Sequence, residues 1–166
     1  MTSIIKVDNI QNSSGTDAIS IDSNGNVFRP NLVSFRAMPS ANINNQTSGI
    51  IIYGDVTKAN WGVHNLGGGY STTTGKFTAP VDGVYFFHWM GYAHGTNVGN
   101  ANLGLNGSNM VASSYVNAGS NDDNYPTINM TALLKLSAND TIHAYVETGA
   151  IHANKDRSAF EGYLVG

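Results

Sequence analysis

Apolar residues come in short runs along most of this chain, and the most apolar run lies between Gly83 and Trp89. Side chains of a strand point alternately to its two faces. Tyr85, Phe87 and Trp89 therefore share one face, and Val84, Phe86 and His88 take the other. A strand apolar on both faces predicts burial on both. In a domain of this size, one face lines the core and the other is expected to meet a partner subunit.

From Leu32 onward the pattern predicts strands near residues 32–37, 50–53, 61–65, 76–78, 83–94, 101–106, 110–116, 127–136, 141–148 and 158–165. Turn residues separate them: Asn44-Asn45, Gly67 to Gly69, Gly95, Asn106-Gly107, Gly119 to Asn124, Asn139-Asp140 and Gly149. Many strands joined by short turns predict an all-β sandwich or barrel. No alternation of helix and strand appears.

Residues 1–28 have a different texture. Ile5, Val7 and Ile10 alternate with polar residues, and Ala18 to Asp22 forms a second short strand closed by Ser23-Asn24-Gly25-Asn26. So few apolar residues cannot bury much surface alone. The segment is expected to fold against sister chains or a larger assembly; a disordered tail is the alternative. Arg29-Pro30-Asn31 marks a boundary, giving an attachment or stem segment at 1–28 and a head domain at 29–166.

Composition narrows the function. Only 11% of residues are charged and the net charge is −3, so the basic footprint of nucleic-acid binding is missing. The 21 asparagines and 19 glycines suit tight loops. There are no cysteines, so oligomerisation is the expected staple. The N-terminus lacks the layout of a secretory signal, and no apolar run is long enough for a membrane-spanning helix. No membrane insertion and synthesis in a cytoplasm are expected.

The spacing Phe77, then Gly83, Tyr85, Phe87 and Trp89, preceded by Asn65 and Tyr70, resembles the signature of the globular head of complement C1q, within the C1q/tumour-necrosis-factor superfamily. An upstream aromatic of that signature is replaced by Ala59, with Trp61 nearby to fill the space. Val33 to Ala37, Leu103 to Gly107, Leu136 to Ile142 and Phe160 to Leu164 resemble further landmarks in order. The resemblance covers residues 32–166. It implies a ten-stranded jelly-roll sandwich that forms a homotrimer through aromatic and apolar faces. Phe35, Tyr70, Phe77, Gly83, Tyr85, Phe87, Trp89, Phe160 and Tyr163 are the expected core and trimer-packing residues. The string from Ile5 to Val27 resembles the leader of phage structural and fibre proteins.

Candidate chemistry is sparse. Gly67 to Gly69 lack the helix and lysine of a phosphate loop. Asp122 and Asp123, within Asn121 to Asn124, are the densest oxygen-ligand group and could hold calcium; otherwise no cofactor is expected. His64, His88, His94, His143 and His152 show no zinc spacing, and His88 is expected in the core or an interface. No nucleophile elbow or carboxylate pair stands out, so no enzyme is expected. His94, Asn97, Asn100, Asn121 and Tyr125 lie in segments whose amides and rings suit a host-surface glycan or protein.

Together these readings predict a non-enzymatic bacteriophage structural protein located in the virion: a tail fibre or receptor-binding tip for host attachment, joined to other virion proteins through residues 1–28. A capsid head-fibre or decoration protein, a secreted bacterial adhesin and a small depolymerase domain are the alternatives.

Overall fold

The computed structural model describes residues 5–93, 98–107, 109–117 and 125–166. Among them are fifteen strands: β1 (Asn9–Gln11), β2 (Asp17–Ile21), β3 (Val27–Phe28), β4 (Ser34–Ala37), β5 (Ile43–Gln46), β6 (Gly49–Ile50), β7 (His64–Leu66), β8 (Lys76–Thr78), β9 (Gly83–Ala93), β10 (Val98–Leu105), β11 (Asn109–Asn117), β12 (Thr127–Leu136), β13 (Thr141–Gly149), β14 (Ile151–Ala153) and β15 (Ala159–Leu164). One turn of 3₁₀ helix, Ala59–Trp61, replaces the start of the strand expected at 61–65. The chain divides into two compact units, one ending at Leu32 and the other spanning Val33–Gly166.

The first unit is a three-stranded antiparallel meander, β1-β2-β3. Its turns are built by side chains. The Asn12 carbonyl oxygen accepts from the amides of Ser14 and Thr16, and an Asp22 carboxylate oxygen accepts from those of Asn24 and Asn26. Ile5, Ile10, Val27 and Phe28 are all exposed.

The second unit is a sandwich of two sheets. Five strands run β11-β10-β13-β6 with β8 also on β13, and seven run β5-β14-β9-β15-β4-β7 with β12 on the other side of β9. All twelve strands pair antiparallel. The count exceeds the ten expected because two further strands add to the seven-stranded sheet: β5, whose sequence is polar, and β14, which is only three residues long. β9 is the hub, and its burial alternates without a break from Tyr85 to Ala93. Inward residues of both sheets meet in one core, as the pleat requires.

Two loop tips tie the sandwich together at one end. Asn106 adopts a positive φ of 50° after β10. Its side-chain Nδ2 donates to Asp140 Oδ1 at 2.7 Å, and its side-chain Oδ1 accepts from the Thr141 backbone amide at 2.8 Å. The two turn landmarks read from the sequence are thus one hydrogen-bonded unit. Asn106 and the Ser137 amide hold the Asp140 carboxyl below the usual range.

Gly162 in β15 sits where a Cβ would approach the Phe87 ring to 2.6 Å, the Phe35 ring to 2.9 Å and the Phe86 carbonyl to 2.9 Å. Backbone and packed rings cannot yield together. Gly162→Ala is expected to lower stability by about 1–3 kcal/mol, read as a lower urea midpoint at unchanged slope.

Candidate functional site

The inner face of β9 builds an aromatic cluster. Phe35 stacks on Tyr70 (4.7 Å between centroids) and on Phe77 (5.2 Å), and meets Phe160 edge-on at 5.0 Å. Phe77 contacts Tyr85 and Phe87, and Tyr53 stacks on Trp89. Phe35, Tyr70, Phe77, Tyr85, Phe87, Trp89 and Phe160 are all buried. Asn65 acts as a bracket: its amide nitrogen donates to the Tyr70 carbonyl at 2.8 Å, while its oxygen accepts from the Tyr70 amide at 3.2 Å. That bracket closes the glycine turn, in which Gly67 and Gly68 have φ of 74° and 68°.

Tyr163 does not join this cluster; it is 47% exposed on the opposite face of β15. Nor does Trp61 fill an aromatic core position, since it is 50% exposed. The core aromatic missed from the sequence is Tyr53. Its hydroxyl donates to the Met90 carbonyl at 2.9 Å, and its own carbonyl accepts from the Tyr70 hydroxyl at 3.0 Å. Burial pushes both phenols up. Tyr53 ends the run Ile51-Ile52-Tyr53, in which Ile51 and Tyr53 are buried and Ile52 is exposed; that alternation was the available signal.

The outward face of the seven-stranded sheet carries two rows that cross five strands. Strand register aligns Leu133, Phe86, Tyr163, Ser34 and Leu66 in the first. Leu133 is 65% exposed and Leu66 52%, and Phe86 packs on Tyr163 at 5.4 Å. The same register aligns Thr131, His88, Glu161, Arg36 and His64 in the second. Glu161 serves two partners: one oxygen pairs with Arg36, the other lies 3.1 Å from His88 Nδ1. His64 Nδ1 faces the Gly62 carbonyl at 2.9 Å, which can only accept. In the neutral ring, Nε2 therefore accepts from the Ser34 hydroxyl 2.5 Å away. A cleft of about 220 Å³ lies between Ser34, His64, Phe86 and Tyr163. At roughly 4.8 Å per strand the rows are about 19 Å long.

The only carboxylate in the rows, Glu161, is already shared between the Arg36 guanidinium and the His88 ring. Among the described residues, no group of three or more His, Asp or Glu side chains could hold a metal. His94, Asn97, Asn121, Asp122 and Asp123 lie outside the described residues. Asn100 lies on β10, where its amide donates to Glu147 at 2.9 Å, and Tyr125 borders a cleft beside β9.

His143, on β13 opposite Lys76, is nearly fully buried. Burial, with the Lys76 charge adding, holds its ring below the usual 6.5. The folded state thus favours the neutral ring. That contribution is complete above pH 6.5 and is lost as pH falls through the lower folded value. The urea midpoint is expected to drop between about pH 7 and pH 5, and less so in His143→Phe. The carboxyls of Asp55, Asp140 and Asp156 are held below 3.8 and act only in stronger acid.

The family model described as the C1q domain matches residues 35–165. The chain belongs to the C1q domain family. Complement C1q tumor necrosis factor-related protein 3 of Mus musculus and of Homo sapiens are each 33% identical over 137 residues, covering 80% of this chain. The chain spans about half (51%) of the length of those relatives. Among solved structures, the globular domain of zebrafish complement 1qA matches with a TM-score of 0.60 at 17% identity, over 81% of this chain and 98% of that one. Murine APRIL gives 0.57 at 12% identity, over 80% and 98%. This C1q domain thus has the jelly-roll-like fold of that superfamily.

These findings correct the expected context. The curated relatives are mouse and human proteins, and nothing in the comparisons points to a phage. The tail-fibre or receptor-binding function, the capsid, adhesin and depolymerase alternatives and the virion location are withdrawn. The leader likeness that carried them rests on a short polar hairpin pattern, which Asn- and Asp-built turns produce in any context.

Proposed function

We propose that this C1q domain is a non-catalytic binding head that works as a homotrimer, assembled through the outward face of its seven-stranded sheet. The family is generally non-enzymatic, and its domains typically form homotrimers. The observation that carries the reading is the first row, Leu133-Phe86-Tyr163-Ser34-Leu66. It leaves large apolar side chains uncovered from β12 at one edge to β7 at the other, where a single chain gains nothing from them. The second row supplies charged and hydrogen-bonding groups beside it, which fix orientation more than they add affinity. Three copies would present three sets of loops to one partner, so that weak contacts add through avidity.

The leading segment, residues 1–28, is proposed to attach or to pair with its sister copies, because Ile10, Val27 and Phe28 stay exposed within its own sheet. Sedimentation equilibrium at micromolar concentration tests the whole. A mass three times the 17.6 kDa chain is expected; a stable single chain would overturn the trimer.

A further inference from the structure

A second cleft, of about 180 Å³, opens where β9, β14 and the turn before β15 meet, lined by Tyr92, Tyr125, His152, Asn154 and Arg157. It lies six residues along β9 from Phe86, roughly 20 Å away at ~3.4 Å per residue. We infer that this cleft binds a single sugar ring carrying a carboxylate, with Arg157 taking the acid group and the tyrosines taking the ring.

Three features support this. First, the walls are aromatic. The Tyr92 and His152 rings meet at 6.4 Å and the Tyr125 and His152 rings at 5.3 Å. These rings meet edge-on or tilted rather than face to face, and an aromatic face left open accepts the C–H face of a pyranose. Second, the cation is not held in a close ion pair, although its charge helps to lower the neighbouring Asp156 carboxyl. Asp156, its neighbour, is engaged by Lys155 at 2.8 Å and by Lys58 at 3.9 Å. Arg157 makes no ion pair among the described residues. A planar guanidinium matches a carboxylate in bidentate geometry. Third, the turn that presents Arg157 is fixed in advance. The amides of Arg157 and Ser158 donate to the Asn154 carbonyl, the Asn154 amide donates to Ser158 Oγ at 3.0 Å, and the Asp156 amide donates to Asn154 Oδ1 at 2.9 Å. Ser158 is fully buried. Asn154 Oδ1 is used inside the turn, so its amide nitrogen remains for a sugar hydroxyl, as does the Tyr92 hydroxyl.

Size favours a single ring over a peptide segment: the volume is below the roughly 300–1,000 Å³ of pockets that enclose larger ligands. Every lining residue named belongs to one chain, and Tyr92 shares the outward face of β9 with Phe86 and His88.

The test is titration of the full chain, followed by NMR or calorimetry, with methyl glucuronide, methyl glucoside, acetate and a short acidic peptide. Methyl glucuronide is expected to bind saturably and at least tenfold more tightly than each of the others. Arg157→Gln should abolish the preference for the charged sugar, and Tyr125→Ala should weaken both sugars. Arg157 is exposed, so the glutamine variant should keep the parent melting temperature. Equal binding of glucoside and glucuronide, binding of acetate or peptide as tight as glucuronide, unchanged selectivity in Arg157→Gln, or no saturable binding would each overturn the assignment.

Discussion

Replacing Phe35 with alanine is expected to cost about 3–5 kcal/mol of folding stability, at the upper end of that range. The ring is 2% exposed and lies against Tyr70, Phe77, Phe87 and Phe160. Truncation removes the transfer free energy of the ring and leaves a cavity walled by other rigid rings, which cannot collapse to fill it. Four aromatic pairings vanish at once, each with geometry beyond simple area burial. Phe87→Ala falls in the same class but has looser pairings, 5.3 Å from Phe77 and above 6 Å from Phe35, Tyr85 and Phe160. Denaturant unfolding should therefore rank Phe35→Ala as the more damaging. An alanine variant within 1 kcal/mol of the parent, a small fraction of a usual domain stability, would mean that the cluster is not the centre of the core.

The second large effect concerns assembly. Leu133→Asp is expected to turn the proposed trimer into single folded chains. Leu133 is 65% exposed in one chain, so the change costs the isolated fold little. In a three-fold assembly the same leucine would be buried three times. At about 1.5–3 kcal/mol for each side chain covered, roughly 5–9 kcal/mol per trimer is lost. At 1.4 kcal/mol per tenfold, that is some three to six decades in the association constant, before the cost of burying three carboxylates. Sedimentation should report the mass of one chain, while the thermal transition of the folded monomer persists. Leu133→Met, which keeps the volume, should leave the mass unchanged. A trimer that survives Leu133→Asp would move the interface elsewhere on the sandwich.

Much of the fold was legible because strands have a period of two. Tyr85, Phe87 and Trp89 were readable as one face without any knowledge of their partners. Asn65, Phe77 and Gly83 were recognisable by spacing, although spacing alone did not reveal that Asn65 holds both backbone groups of Tyr70. Other elements were hidden for physical reasons. Strand β5 reads Ile-Asn-Asn-Gln and has almost no apolar signal, and β14 is three residues long. Tyr163 was readable as a packing residue without showing whether it packs in the core or against a sister chain; its parity places it outward, one residue from inward Gly162. Trp61 looked like a substitute for a missing aromatic, yet Tyr53 packs beside Trp89 instead. The outward rows were half legible. Phe86 and His88 announced a second apolar face on β9, but Leu133, Glu161, Arg36 and His64 align with them only through strand register, which pairs Arg36 with Glu161, 125 positions away in the chain. Arg157 reaches the cleft beside Tyr92 through the turn between β14 and β15, which no sequence pattern announced. The presumed virion setting was an error of a different kind, a biological context drawn from a short hairpin pattern.

The two rows have a consequence for which chains can mix. An oily band flanked by a Glu161 shared between Arg36 and His88 amounts to a lock cut across five strands. A related chain whose band is displaced by two residues would set its carboxylate against Phe86 or Leu133 and strand a charge in a dry seam. Co-expressed relatives with the band elsewhere should sort into separate assemblies, so this sheet face would govern not only how many copies gather but also whose.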